Sequence, residues 1–219
     1  MAELFLTIGT GLKWAGFVLS PLFLLPFAHL VAPTIFARPS KTLIVALDRI
    51  SGAAQSVAVW LAGLMVITQI LVIIGRYIFD WSASWATEII IYSFAGLFLF
   101  AASSALKNDA HVRVDIFREN MSSRQKAGID MAGIYIFLIP ICLLVLWSSI
   151  SPSFIRSWLQ FEGSRESDGL PIYFLFRTLV PTFGILLLLQ ALGEALKASL
   201  IIRGKNGAEI PASIQEEPV

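Results

Sequence analysis

The chain has 219 residues, of which 57% are hydrophobic and 14% charged, and its formal net charge is +1. Soluble domains are about 45–50% apolar and about 25% charged, so this composition excludes an ordinary soluble protein and predicts an integral membrane protein. The nearly balanced charge gives no reason to expect a nucleic-acid partner. The single cysteine excludes an intrachain disulfide and an iron–sulfur cluster held by this chain alone.

The first apolar stretch, residues 14–36, is long enough to cross a bilayer but contains three prolines and His29. We therefore expect residues 1–37 to contain either a fifth spanning helix or a broken, re-entrant segment that lies against the bundle. Residues 38–52 come next and are predicted to form an amphipathic helix in the membrane interface. Three apolar side chains share one face of that helix: Leu43, Leu47 and Ile50.

Four further apolar stretches are each close to the about 20 residues that a helix needs to cross a bilayer. They are residues 57–74, 85–106, 131–150 and 170–193. Because backbone polar groups in lipid must be hydrogen-bonded internally, these stretches should be helical. The sequence therefore predicts an all-α membrane protein: a four-helix transmembrane bundle over residues 53–198, followed by a cytoplasmic tail over 199–219.

Local signals predict how two of these helices begin or bend. Ser84 is a candidate N-cap for the second span. Ser122 and Gln125 have the spacing of a capping box for the third span. Pro140, at the centre of the third span, predicts a kink.

The charges predict an orientation. The connections on one side, residues 38–56 and 107–128 together with the tail after 194, contain eleven Lys and Arg residues. The connections on the other side, residues 75–84 and 151–169, contain three. The positive-inside rule therefore predicts that the first side is cytoplasmic.

The sequence contains none of the motifs of the common catalytic and nucleotide-binding sites, so we expect no enzymatic activity and no cofactor. The two histidines, His29 and His111, are far apart, which argues against a haem held between them. No internal repeat is visible and polar residues within the spans are few, which favours a scaffold over a self-sufficient carrier. A membrane anchor for another complex is the remaining alternative.

Glu88 is the most informative polar residue in the spans, and three roles are open for it. It shares a helical stripe with Trp85 and Tyr92, and it lies in the first turns of its helix, where the helix dipole favours an anion. It could also form an ion pair with Arg76 or Arg177, which would join two helices. Direct binding of a transported ion is the least favoured role.

Several phrases together resemble the small membrane subunit of tripartite ATP-independent periplasmic (TRAP) transporters, of the C4-dicarboxylate small-permease type. The resemblance covers residues 48–198, with Ala110 and Asp80 as mild departures, since Gly and Asn are common there. It rests on Arg76-Tyr77-Ile78-Phe79, on Trp85, Glu88 and Tyr92, on His111, Arg113 and Asp115, and on Gly169-Leu170-Pro171.

The resemblance implies a non-catalytic subunit in the bacterial inner membrane, surrounded by lipid. Such a subunit pairs with a large multi-spanning permease subunit that contains the substrate and sodium sites, while a periplasmic substrate-binding protein delivers an organic acid. The small subunit would brace the large one. The site residues would then have structural or interface roles: Arg76, Trp85, Glu88, Tyr92, His111, Arg113, Asp115 and Arg177.

Overall fold

The computed structural model describes residues 20–109, 121–150 and 154–204, and these contain helices and turns but no strand. Four helices are long and apolar enough to cross a membrane. This confirms the prediction of an all-α membrane protein. The helices are α1 (Leu25–Val31), α2 (Pro33–Phe79), α3 (Ser84–Lys107), α4 (Ser123–Ser149), α5 (Ile155–Gln160) and α6 (Tyr173–Arg203).

Helix α2 is much longer than the predicted span. Its 47 residues form one continuous helix, in which residues 38–52 run directly into the span at 57–74. At about 1.5 Å per residue it is about 70 Å long, more than twice the thickness of the hydrocarbon layer of a bilayer. The junction contains no proline, and Gly52 weakens a helix by only about 1 kcal/mol, so nothing there ends the helix. The structure therefore differs from the expected pair of separate helices.

Helix α6 is the central element of the bundle and contacts each of the other five helices. In its most apolar 18-residue window 44% of the residues are buried, against 6% in that of α2. Small side chains such as Gly184, Ala191 and Ala195 line this helix and let its neighbours approach closely. The bundle is thus organised around α6, whereas most of α2 faces outward.

The N-terminal half of α2 packs on the C-terminal half of α6. Ile44 and Leu47 form a buried cluster with Leu192 and Leu196. Leu47 was expected on the apolar face, but Ile50 is 42% exposed and Ile44 takes its place in the core. The stripe is rotated because it faces a helix and not a flat membrane surface.

Helices α2 and α3 pack antiparallel, and Gly96 of α3 marks a close approach. A β-carbon at that position would lie 2.6 Å from Cδ1 of Leu61 in α2. Ala58 of α2 is also fully buried. Small residues at the contact let two helix backbones come together, which is the usual way that helices associate within a membrane.

Two of the local predictions concern α4. The capping box is confirmed, since the Gln125 amide donates to Ser122 Oγ while the Gln125 side chain accepts from the Ser122 amide. Near Pro140, where a kink was predicted, the structure has a π-helical turn, Ile134–Leu138, which ends two residues before the proline. Pro140 cannot donate a backbone hydrogen bond, and the wider turn absorbs the lost bond.

The described part of the N-terminal segment consists of a 3-10 turn (Ser20–Leu24) and the short helix α1. The helix stops at Ala32, before Pro33 begins α2. This part packs against the bundle: the hydroxyl of Tyr135 donates to the carbonyl of Phe23 at 2.5 Å, and His29 is buried beside Ser199. Its form is that of a broken segment lying on the bundle.

Candidate functional site

The turn between α5 and α6 folds over the start of α3, and Glu88 lies at the contact. The amide of Leu170 donates a hydrogen bond of 2.7 Å to Glu88 Oε2. The hydroxyl of Ser164 donates to Glu88 Oε1. We call this group, Glu88 with Ser164 and Leu170, the Glu88 clamp. It ties the turn to α3, because hydrogen bonds to a charged acceptor are among the strongest in proteins.

Gly169 is the residue that makes the Glu88 clamp sterically possible. A β-carbon at this position would collide with the Ser164 side chain and would lie 2.8 Å from Glu88 Oε1. The amide of Gly169 also donates to the carbonyl of Glu166 at 3.2 Å, which closes the turn. A glycine is therefore required here for close packing.

A second carboxylate from the same turn caps α3. The backbone amide of Ser84, at the first position of α3, donates to Asp168 Oδ2 at 2.9 Å. Ser84 was predicted to cap the helix itself, and this is wrong: the N-cap residue is Ala83, and it makes no side-chain capping bond. Asp168 provides that bond from a distant part of the chain, where the positive end of the helix dipole favours its charge.

Arg177 does not pair with Glu88, so that expected ion pair is wrong. Arg177 Nε lies 3.0 Å from Glu162 Oε2, and its guanidinium group lies 5.2 Å from the ring centroid of Tyr173. The amide of Phe174 donates to the carbonyl of Glu162 at 3.0 Å. Glu162 lies 15 residues before Arg177 in the sequence, so their pair joins the turn to the first turns of α6.

Arg76, the other expected partner of Glu88, is exposed at the end of α2. In the ranges that the structure covers, it makes no ion pair with Glu88 or with any other acid. Glu88 is therefore held by a hydroxyl and a backbone amide and not by a cation.

Aromatic side chains make further contacts at the same end of the bundle. The ring of Tyr92 stacks on Phe176 of α6, with centroids 4.7 Å apart. Trp85 packs edge-on against Trp81, with centroids 5.8 Å apart. In α5, the indole nitrogen of Trp158 donates to Thr178 Oγ1 at 3.0 Å. Glu88 and Tyr92 thus join α3 to the turn and to α6, whereas the Trp85 contact lies within the connection from α2 to α3.

The three remaining sequence candidates, His111, Arg113 and Asp115, lie outside the described residues. Their predicted role in the turn between α3 and α4 stays a prediction.

A polar network at the opposite end of the bundle was not predicted. Lys197 Nζ of α6 lies 3.1 Å from Asp48 Oδ1 of α2 and 2.9 Å from Glu194 Oε1. The amide of Gln190 donates to the same two carboxylates and accepts from Ser51 at 2.6 Å. We call these five residues the Asp48 network. The spacing of 190, 194 and 197 on one face of α6 was the signal in the sequence.

Polar contacts also join α2 to α3 at this end. The hydroxyl of Ser104 donates to Gln55 Oε1 at 2.6 Å. The ammonium group of Lys107 donates to the carbonyl of Asp48 at 3.4 Å. The Asp48 network is thus flanked by a second cation, and α2 is bonded to both of its neighbours.

No three His, Cys, Asp or Glu side chains come together as metal ligands within the parts of the chain that the structure covers. In the Asp48 network the two carboxylates share one cation, Lys197, and both oxygens of Glu88 are bonded. The geometry therefore ties helices and turns together at both ends of the bundle.

A four-span helical bundle joined at its two ends by polar contacts defines a small helical membrane protein. The chain belongs to the family described as tripartite ATP-independent periplasmic transporters, DctQ component, whose family model matches residues 64–200. The match includes the Glu88 clamp, Asp168 and Arg177, but not the N-terminal half of α2. The protein is therefore a TRAP transporter component of the small permease type. No curated protein and no solved structure gives a significant match to it.

Proposed function

We propose that this chain is the non-catalytic small subunit of an ion-gradient-driven transporter and that it braces a large multi-spanning permease subunit. Membership of the TRAP small-permease family supports a role in transport. The observation that carries the bracing role is that the strongest polar contacts join elements of this chain to one another. Both oxygens of Glu88 are already bonded to the chain's own turn, so this carboxylate is occupied as a structural group.

The Glu88 clamp and the Asp48 network support this role together. One joins α3 to the turn before α6, and the other joins α2 to α6. Buried polar groups in a membrane are costly unless they are paired, so paired groups hold helices in one arrangement. A subunit of this kind provides a fixed surface against which a partner can move.

The distribution of charge supports an orientation. The connections near the Asp48 network contain eleven Lys and Arg residues, and those near the Glu88 clamp contain three. By the positive-inside rule the Asp48 network and the C-terminus face the cytoplasm of a bacterial inner membrane. The Glu88 clamp and its tryptophans then face the periplasm, where a substrate-binding protein delivers its ligand.

In this proposal the substrate is an organic acid such as a carboxylate, taken up with sodium, as the family resemblance implies. The residues that select it belong to the large subunit and the binding protein in this proposal.

Reconstitution tests the proposal. The large subunit and the binding protein are placed in proteoliposomes with and without this chain, and uptake of labelled succinate is measured under a sodium gradient. We expect uptake only when all three proteins are present. Uptake by this chain alone would identify a self-sufficient carrier, and a co-purifying haem would identify an anchor for a redox complex; either result would contradict the proposal.

A further inference from the structure

One side of helix α2 has a row of polar side chains. Those in the first half of the helix are bonded to the bundle, and those in the second half are exposed. Side chains seven residues apart lie on nearly the same side of a helix. Asp48 is bonded to α6 and Gln55 to α3, as described above. The next polar members of this series, Gln69 and Arg76, are both exposed. In the described ranges, neither has a hydrogen-bond or ion-pair partner.

The depth of Gln69 makes its exposure informative. It lies within the apolar stretch 57–74, seven residues and thus about 10 Å from Arg76 at the helix end. It is also fourteen residues and thus about 21 Å from Gln55. A primary amide at this depth has no hydrogen-bond partner among lipid tails, so polar side chains in spans normally face another helix.

Helix α4 shows what a face suited to lipid looks like in this protein. Its exposed side chains in the middle of the span are entirely apolar: Ile136, Phe137, Ile141 and Leu144. The flank of α2 differs because it combines a small residue, an amide and a cation with apolar neighbours.

We infer that this flank, formed by Ala62, Val66, Gln69, Ile73 and Arg76, docks against a spanning helix of the large permease subunit. That helix would offer a hydrogen-bonding side chain opposite Gln69 and a carboxylate opposite Arg76. The inference rests on the proposed function and names the surface through which the bracing occurs.

Charge argues for this occupant over a second copy of the chain. Two copies in one membrane have the same orientation, and a two-fold axis through this flank would place Arg76 opposite Arg76. Like charges at close range are unfavourable. A lipid headgroup would satisfy Arg76 but would leave Gln69 unpaired. A different protein helix can satisfy both.

Photo-crosslinking provides the main test. The chain is co-expressed with the large subunit, each with its own tag, and p-benzoylphenylalanine replaces Ile73 on the flank or, as the matched control, Ile141 on α4. The two side chains are 47% and 57% exposed, so reactivity should differ only through their surroundings. We expect an adduct that has both tags from position 73 and severalfold less from position 141.

A second measurement concerns the amide itself. The variant Gln69→Leu should lower the association constant for the large subunit by about 3- to 30-fold, the range of interhelical hydrogen bonds in membranes. Phe137→Leu on α4 is the control and should leave association unchanged. Unchanged association of Gln69→Leu would overturn the assignment of Gln69 to the interface.

The outcomes separate this inference from the proposed function. If the two subunits co-purify but position 73 gives no adduct, or only an adduct between two copies of this chain, the docking surface is wrong and the proposed function stands. If the two subunits do not co-purify at all, the proposed function fails and the inference fails with it.

Discussion

The amide of Leu170 donates to the carboxylate of Glu88 across 82 positions of sequence, at a distance of 2.7 Å. This single bond joins the turn before the last helix to the first turns of the second span. Glu88 therefore serves as an acceptor for the chain's own backbone. The helix-dipole argument favoured a structural role for Glu88. The structure shows such a role, but the partner is the Leu170 amide, which the sequence did not indicate.

Replacing Glu88 should distinguish its charge from its hydrogen bonds. Glu88→Ala leaves the Leu170 amide without its acceptor, and we expect it to lower the free energy of unfolding by about 3 kcal/mol. Glu88→Gln keeps one oxygen for that amide and should lose about 1 kcal/mol. Thermal unfolding in detergent measures both. In both variants assembly with the large subunit should weaken more than substrate affinity changes, and normal assembly with lost ion coupling would contradict this role.

Gly169→Ala should open the Glu88 clamp, because the added methyl group collides with Ser164 and Glu88. We expect a loss of about 1–3 kcal/mol, typical of overpacking. Gly163→Ala is the matched control in the same turn, since its β-carbon would lie at an ordinary 3.6 Å from Cα of Pro171. Equal unfolding temperatures for the two variants would show that the close contact at Gly169 does not affect the free energy of unfolding.

The turn between α5 and α6 should loosen in acid. The hydroxyl and amide of Ser84 hold the pKa of Asp168 below its usual 3.8, and the neighbouring Ser157 hydroxyl and Arg177 guanidinium hold that of Glu162 below its usual 4.5. A lowered folded-state pKa stabilises the fold above the unfolded-state value, and this contribution disappears as the pH falls through the folded-state value. Protection factors for amide hydrogen exchange in the turn, which correct for the intrinsic pH dependence of exchange, should therefore fall below about pH 4.

Two variants test whether Asp168 and Glu162 cause the loosening of the turn in acid. Asp168→Asn should weaken the pH dependence of exchange in the turn, and Asp168→Asn combined with Glu162→Gln should remove most of it. An unchanged pH profile in the double variant would mean that neither carboxylate controls the turn.

Asp80 ends α2 in the left-handed region, with a φ of 50°, and the amide of Trp81 donates back to the carbonyl of Gly75 at 3.0 Å. Asn and Gly adopt this conformation readily, whereas a β-branched residue does not. Asp80→Asn should leave stability unchanged, and Asp80→Val should cost about 1–2 kcal/mol. Equal thermal stability of the two variants would argue against a conformational requirement at this position.

Lys197→Met should destabilise the bundle, since it leaves the Asp48 and Glu194 carboxylates together without their shared cation. Removing one partner of a fully buried pair costs about 3–5 kcal/mol, and we expect a smaller loss here because these side chains are partly exposed. Adding Glu194→Gln to Lys197→Met removes one of the two negative charges and should recover part of the loss. If the double variant is less stable than Lys197→Met alone, repulsion between these carboxylates is not the cause.

Local and compositional features of this protein were predictable from its sequence. The four spans follow from apolar runs of sufficient length, and the capping box at Ser122 and Gln125 follows from residues three positions apart. The family resemblance rested on short phrases in order, and the family model confirms it over residues 64–200. Such features depend on neighbours within one or two helical turns, so no knowledge of the fold is needed.

The ends of the helices were less predictable. Hydrophobicity marks where a helix enters lipid, but α2 and α6 continue into polar sequence at the end near the Asp48 network. There they pack on each other through Ile44, Leu47, Leu192 and Leu196. The helices persist outside the apolar runs because tertiary packing and polar pairs stabilise them.

By itself the sequence determined the membrane class, the four main apolar spans and the family, because composition, periodicity and short motifs contain that information. Only the tertiary structure decided which groups meet: Glu88 with the amide of Leu170, Asp168 with the start of α3, and Lys197 with Asp48. These partners are far apart in the chain or are backbone groups common to nearly all residues. Their pairing depends on where the turn and helices are placed by packing, which no local pattern specifies.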